Sequence, residues 1–485
     1  MASPGFNERH LNEDESKCHE CFRTNDYEFD KEKNPDRIPG TCEWFLQHPR
    51  YQKWLGATGS SWLWVTADPG CGKSVLSRFL IDIFNPWSRT PSSGNVNPLD
   101  SMPSGVTGEA QIQSKLSKTV CYFFFKDDSE VSRSSTNALT SILHQLFTQK
   151  HDLLKHALLS FKENGSDLAK LFESLWKIFH AVIADPVAGE IIVILDALDE
   201  CAEKSREALV RKLTSLFSNA RQGASLKLLI TSRPSTPIGD QLWRGNIDPA
   251  SIQLMGENEA EMEAISVEIE LVIRERIKQF EQLRRHRGIE DNACEALLQR
   301  LLQVENRTYL WVSLIFPELE RCAGLSEKKL LHAVQTIPTT IDDAYESILS
   351  RSTDLEEARQ LLKIVLGAER PLTLDEMNIA LSTTNGCCCV EDLDLEPPKS
   401  FRTTVRDLCG LFVNIRDSRI YLIHQTAKEF LLAYWTDSPS DCLLTSSWKH
   451  SLHPAECANL MTRICTVYLR FTEFETCPFV PGGRR

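Results

Sequence analysis

Two apolar runs in this chain each break off into a polar loop, and together they limit what the chain can become. Residues 62–80, WLWVTADPGCGKSVLSRFL, read as a strand, a loop of small residues and a helix with apolar positions three and four apart. Residues 191–201, IIVILDALDEC, read as a strand that is apolar on both faces and ends in carboxylates. A strand of that kind has to be covered by helices on both sides. A third run, 226–231, closes on Thr231, Ser232 and Arg233. Strands are expected at 62–66, 119–125, 191–195, 226–231 and 251–254, with helices at 73–84, 136–149, 168–184 and 203–219 between them. That alternation predicts an α/β fold with a parallel, doubly wound sheet over residues 39–255.

The loops carry the chemistry. A triphosphate crowds negative charge into a small volume, and backbone N–H groups at a helix N-terminus can cradle it. In Pro69-Gly70-Cys71-Gly72-Lys73-Ser74-Val75 the glycines let the backbone approach the phosphates. Lys73 brings a point positive charge to the β- and γ-phosphates, and the Ser74 hydroxyl is placed to ligate Mg²⁺. Ala67 stands where the P-loop pattern has its first glycine, so a reshaped loop entrance is expected. Asp196, at the end of its strand, would hold Mg²⁺ directly or through water. Asp199 and Glu200 lie where a carboxylate could orient or deprotonate the attacking water. Ligands in open α/β sheets sit beyond the C-terminal strand ends, which makes Arg233 a candidate sensor of the γ-phosphate. Cys71, at a helix N-terminus, is read as a small spacer in the loop rather than a reactive thiol. The NKxD-type segment commonly used for guanine is missing after residue 200, which favours adenine.

These elements, in this order, resemble the NACHT class of STAND signalling ATPases, in particular fungal proteins with a nephrocystin-3-like N-terminal part. GTCEWFLQHPRYQKWL (40–55) resembles the family's lead-in segment, and FFFKDDSEVSRSSTNALTSILHQL (123–146) its second strand and helix. TYLWVSLIF (308–316) and IPTTIDDAYESIL (337–349) resemble its helical region; ERPLTLDEMNIAL (369–381) and LIHQTAKEFLL (422–432) resemble its winged helix. The resemblance covers roughly residues 38–440. It implies that Gly40 and Thr41 lie near the adenine and that His424 approaches the phosphates from the winged helix. A structural role at a strand–helix junction is the alternative for His424. The resemblance also implies an ATP/ADP switch with slow hydrolysis, nucleotide-dependent homo-oligomerisation, and a protein ligand and effector that the sequence does not name. Fungal non-self recognition, or signalling akin to innate immunity, is the implied setting. A remodelling ATPase with steady turnover and a non-catalytic scaffold stabilised by nucleotide are the rivals.

Composition narrows the partners. Hydrophobic residues make up 42% of the 485 and charged residues 25%, as in soluble globular proteins. The net charge of −13 argues against a dedicated nucleic-acid binder. No apolar run approaches membrane-spanning length, so no membrane association is expected. Several of the 16 cysteines sit inside apolar patterns, which suits reduced thiols in the cytoplasm. Cys18 and Cys21 form a CxxC without a second pair at zinc spacing, and Cys387 to Cys389 form a loop run.

The expected organisation runs from a polar segment at 1–38, with a short helix near Cys18–Arg23, to the NTPase domain at 39–255. Residues 85–110, rich in Pro, Ser and Gly, read as a disordered insertion in that domain. A charged helical domain follows at 256–355, then a winged helix at 356–440 whose β pair turns at Asp417-Ser418. Residues 441–485 read as the start of a truncated helical region, without the ankyrin or WD-type repeats that often follow in the resembled family.

Overall fold

The computed structural model describes residues 11–84, 118–218, 225–234, 250–253, 259–289, 293–304, 307–324, 326–335, 337–383, 387–432 and 447–476. The insertion expected at 85–110 lies outside them. The chain divides into two compact units, Met1–Val272 and Ile273–Arg485.

The first unit is built on five parallel strands, β1 (Ser61–Thr66), β2 (Lys118–Phe124), β3 (Glu190–Asp196), β4 (Ser225–Ser232) and β5 (Ala250–Gln253), in the order β2-β3-β4-β1-β5. Its helices are α1 (Glu13–Cys21), α2 (Tyr27–Glu32), α3 (Glu43–Gln47), α4 (Pro49–Gly56), α5 (Lys73–Phe84), α6 (Ser135–Gln149), α7 (Lys155–Asn164), α8 (Phe172–Ala184) and α9 (Glu203–Ser218), with α10 (Glu259–His286) running across the division between units. Strand side chains alternate between faces. Cys121, Phe123 and Phe125 join α1, α6, α8 and α9 in one buried cluster, while the residues between them face the other way, where α5 packs on β2, β3 and β4. The register places the strand ends in a row. Phe124 lies opposite Asp196 and Thr66 opposite Ser232, and one step beyond the Leu195–Ile230 pair stand Asp196 and Thr231.

Residues before 38, polar by composition, build part of this core. Asn12 and Glu15 form a reciprocal capping box, so the first helix starts at Glu13, earlier than expected. That registers Cys18 and Phe22 inward: both are fully buried, and the Phe22 ring meets Phe147 of α6 edge to face at 5.2 Å. The helix expected from 168 begins at Phe172, because Gly165–Lys170 forms a 3₁₀ turn first.

The second unit is helical, with one hairpin, β6 (Val413–Arg416) and β7 (Arg419–Leu422). Asp417 and Ser418 both have positive φ, 48° and 59°, the twist a two-residue hairpin turn needs. Helices Ile341–Leu349, Leu374–Ser382, Pro398–Cys409 and Gln425–Leu431 surround the hairpin, and Tyr345 packs between Phe412 and Phe430 at ring separations of 5.1 and 5.4 Å. Helix Pro454–Tyr468 lies so close to Leu355–Gly367 that a Cβ on Gly367 would sit 2.4 Å from the Cys457 carbonyl oxygen.

Candidate nucleotide site

The site forms at the carboxyl ends of β1, β3 and β4. After Thr66 the chain turns through the small-residue loop, where Gly70 and Gly72 take φ of 79° and 82°. A side chain there would be strained, which is why glycine sits at both places. Ala67, by contrast, is absent from the positive-φ residues, and its N–H donates to the Ser232 carbonyl at 3.1 Å. Alanine therefore carries no positive-φ strain at the entrance. Cys71 is buried, and burial pushes its thiol up to about 11, so the helix end does not make it a thiolate. Pro69 precedes the first of these turns, and Val75 lies in the first turn of α5.

Lys73 opens α5 and turns its amine to the Ala67 carbonyl at 2.8 Å and the Asp68 carbonyl at 3.2 Å. Burial holds its pKa below the ordinary lysine value, partly offset by Asp199, Cys71 and Asp196 nearby. Asp196 is the centre of the arrangement. It is almost fully buried, and three hydroxyls donate to it: Ser74 Oγ to Oδ2 at 2.6 Å, Ser77 Oγ to Oδ1 at 2.6 Å, and Thr231 Oγ1 to Oδ1 at 2.7 Å. The Thr231 oxygen in turn accepts the Ala197 N–H at 2.9 Å, where the chain leaves β3 with Ala197 in the left-handed region at φ 54°. Ser77 and Thr231 were not among the expected site residues. Ser77 stands one helical turn beyond Ser74, and Thr231 stands next to the end of β4, one step beyond the Ile230–Leu195 pair; both signals exist in the sequence but converge only in the fold.

The two acids beyond Asp196 are held differently. Asp199 accepts the Arg233 N–H at 3.0 Å on one oxygen and faces its Nε at 3.2 Å with the other, so both carboxylate oxygens serve Arg233. Glu200 accepts the Asp127 N–H at 3.1 Å, and burial together with Asp199 pushes its carboxyl up to about 7. A carboxyl poised there is suited to take a proton from water near neutral pH. The structure thus brings Lys73, Ser74, Asp196, Asp199, Glu200 and Arg233 to one end of the sheet. A hydroxyl and a carboxylate, Ser74 and Asp196, form the oxygen donor set that suits Mg²⁺.

Gly40, with φ of 91°, lines an open groove of about 370 Å³ together with Trp44, Glu263, Ala264, Val267, Glu268 and Leu271. Its neighbour Thr41 is buried and donates its hydroxyl to the Ile38 carbonyl at 2.8 Å. His424 belongs to the second unit and caps helix Gln425–Leu431, its Nδ1 accepting the Thr426 N–H at 3.2 Å.

A strand, a glycine loop with a lysine on the following helix, and a carboxylate bonded to the next residue of that helix define a P-loop nucleotide-binding NTPase. Comparison with known proteins carries this further. The family profile described as Nephrocystin 3, N-terminal, matches residues 40–233. The winged-helix domain of GPI inositol-deacylase matches 345–442, and a domain of unknown function matches 265–337. The vegetative incompatibility protein HET-E-1 of Podospora anserina is 26% identical over a 412-residue alignment that covers 82% of this chain and 26% of that protein. The chain therefore spans about a quarter of the length of this curated relative. Among solved structures, the Orc1 protein of Aeropyrum pernix in complex with DNA aligns over 81% of this chain and 91% of its own, at 14% identity and a TM-score of 0.35. Cdc6p of Pyrobaculum aerophilum aligns over 93% and 98%, at 13% and 0.34; both scores are too low to assign anything by. The sequence matches support a NACHT/STAND P-loop NTPase with a winged helix. Among the described residues no helix is long and apolar enough to cross a membrane.

Proposed function

We propose that this protein is an adenine-nucleotide switch. ATP and ADP bind at residues 69–75 with Mg²⁺ at Ser74 and Asp196, and slow hydrolysis returns the ATP form to the ADP form. The observation that carries this reading is the Asp196 carboxylate, gripped by hydroxyls from the P-loop helix and from β4 beside Lys73. The metal would neutralise charge on the β- and γ-phosphate oxygens. Lys73 balances the phosphates, Glu200 takes the proton of the attacking water, and Arg233, steadied by Asp199, reads the γ-phosphate. The base lies by the groove at Gly40 and Thr41. The part assigned to His424 rests on resemblance alone; His424→Ala should weaken ADP binding, and unchanged affinity removes it from the site.

A nucleotide shifts a two-state equilibrium only by its differential affinity, and moving it from one state almost wholly to the other takes about 10⁴-fold. Arg233 is the group here that can distinguish ATP from ADP. We place the switch in the cytoplasm, in signalling of the vegetative-incompatibility kind, with homo-oligomerisation in the ATP form and with protein ligand and effector still to be found. The test is the oligomeric state of the purified protein in ADP and in a non-hydrolysable ATP analogue. Larger assemblies in the analogue alone support the switch. Steady multiple turnover without change of size supports a remodelling ATPase, and bound ADP that never exchanges supports a scaffold.

A further inference from the structure

The loop after β2 and the loop after β3 are stitched together by a closed ring of contacts. Asp127 N–H donates to Glu200 Oε2 at 3.1 Å. The Asp127 carboxylate pairs with Arg133 Nε at 3.0 Å. The Arg133 carbonyl then accepts the Ala202 N–H at 3.0 Å and the Cys201 thiol at 3.2 Å, which returns the ring to Glu200. The seam continues at Ser135, whose N–H and hydroxyl meet Ser205 Oγ at 2.8 and 2.7 Å. A surface ion pair alone contributes little. This one fixes the peptide whose N–H meets the candidate base, so its worth lies in geometry.

We propose that Arg133 and Asp127 are a positioning pair for Glu200, holding the Asp127 N–H against its carboxylate so that Glu200 stays ionised and aimed during hydrolysis. This rests on the reading of Glu200 as the base. Neither side chain touches the reacting atoms; both act through the backbone. A hydrogen bond donated to the charged form of a carboxyl favours that form. In the surroundings of Glu200 this N–H is the first influence that opposes burial and Asp199, followed by Arg233 and Lys126. Lys126 is itself flanked by Lys33 and Asp30 of the α2 region and by Asp128, so its charge is shared among several neighbours. Removing Arg133 lets the loop relax, weakens the N–H contact and moves Glu200 toward its protonated form. The side chain of Arg133 is partly exposed, so its truncation leaves the core intact.

The test is single-turnover hydrolysis of radiolabelled ATP with Mg²⁺, across roughly pH 5.5–9, for full-length wild type, Arg133→Ala, Arg133→Lys and Glu200→Gln. ADP affinity is measured alongside with a fluorescent analogue. Wild type should rise through about pH 7. Arg133→Ala should shift that limb to higher pH by about half to one unit, losing roughly 2- to 6-fold at neutral pH and recovering at the alkaline end, with ADP affinity unchanged. Arg133→Lys should restore part of the shift, and Glu200→Gln should lose about 100-fold or more. An Arg133→Ala curve that superimposes on wild type, or falls by one factor at every pH, overturns the positioning role while Glu200→Gln remains inactive. If Glu200→Gln hydrolyses like wild type, the base assignment itself fails and the pair falls with it.

Discussion

Phe22→Ala probes the least expected part of the fold, the segment before residue 38. Phe22 is fully buried against Phe147, and Cys18 beside it is also fully buried. Truncating a buried Phe to Ala removes its transfer free energy and leaves a cavity, at a cost of about 3–5 kcal/mol. For a unit of this size each kcal/mol lowers the melting temperature by roughly 2–4 °C, so the expected loss is on the order of 10 °C. The control is Lys17→Ala, on the helix whose C-cap is Phe22. Its pair with Glu13 is exposed on both sides and contributes about 0.3–0.5 kcal/mol, so its melt should stay within about 2 °C of wild type. Scanning calorimetry at fixed ADP concentration follows both, since bound nucleotide raises the transition by mass action. If Phe22→Ala melts with Lys17→Ala, the segment is a solvated appendage and its place in the core is wrong.

Thr231→Val removes a donor to Asp196 and leaves the Ala197 N–H without its acceptor, so it should cost about 2 kcal/mol in chemical denaturation and weaken Mg²⁺-dependent nucleotide binding. Glu200→Gln should behave oppositely at high pH. The folded carboxyl sits near 7 against an ordinary 4.5, so the folded state binds its proton more tightly and stability falls as pH rises from about 4.5 through about 7. The amide never ionises, so the variant should melt higher than wild type at pH 8 and alike at pH 4, and thermal melts at both pH values check this. Arg233→Ala should weaken a non-hydrolysable ATP analogue by about tenfold and ADP by much less; equal losses in the two titrations would remove its role as sensor.

The elements that a reader can find in the sequence are those whose signal is local. The apolar runs at 62–66 and 191–195 and the glycines before Lys73 state their own conformation, and the structure places them as β1, β3 and the positive-φ turns. Signals that depend on distant partners stay hidden. Ser77 looks like any helix serine until Asp196 arrives from another strand, and the role of Asp127 lies in its backbone N–H, which no residue type encodes. The inward face of α1 is masked because charged neighbours such as Glu13, Asp14 and Lys17 dominate its composition. Ala67 shows the reverse case: a departure from the glycine pattern carries no penalty when the backbone there has no need of positive φ.

The nucleotide site stands or falls with Lys73. Titration of a fluorescent ADP analogue into wild type and Lys73→Ala, with Mg²⁺ present, measures its share. Losing a charged donor to phosphate costs about 1.5–3 kcal/mol, so the variant should bind roughly 10- to 150-fold more weakly while keeping the wild-type fold by circular dichroism. Equal affinity in the two proteins would contradict the assignment of the site.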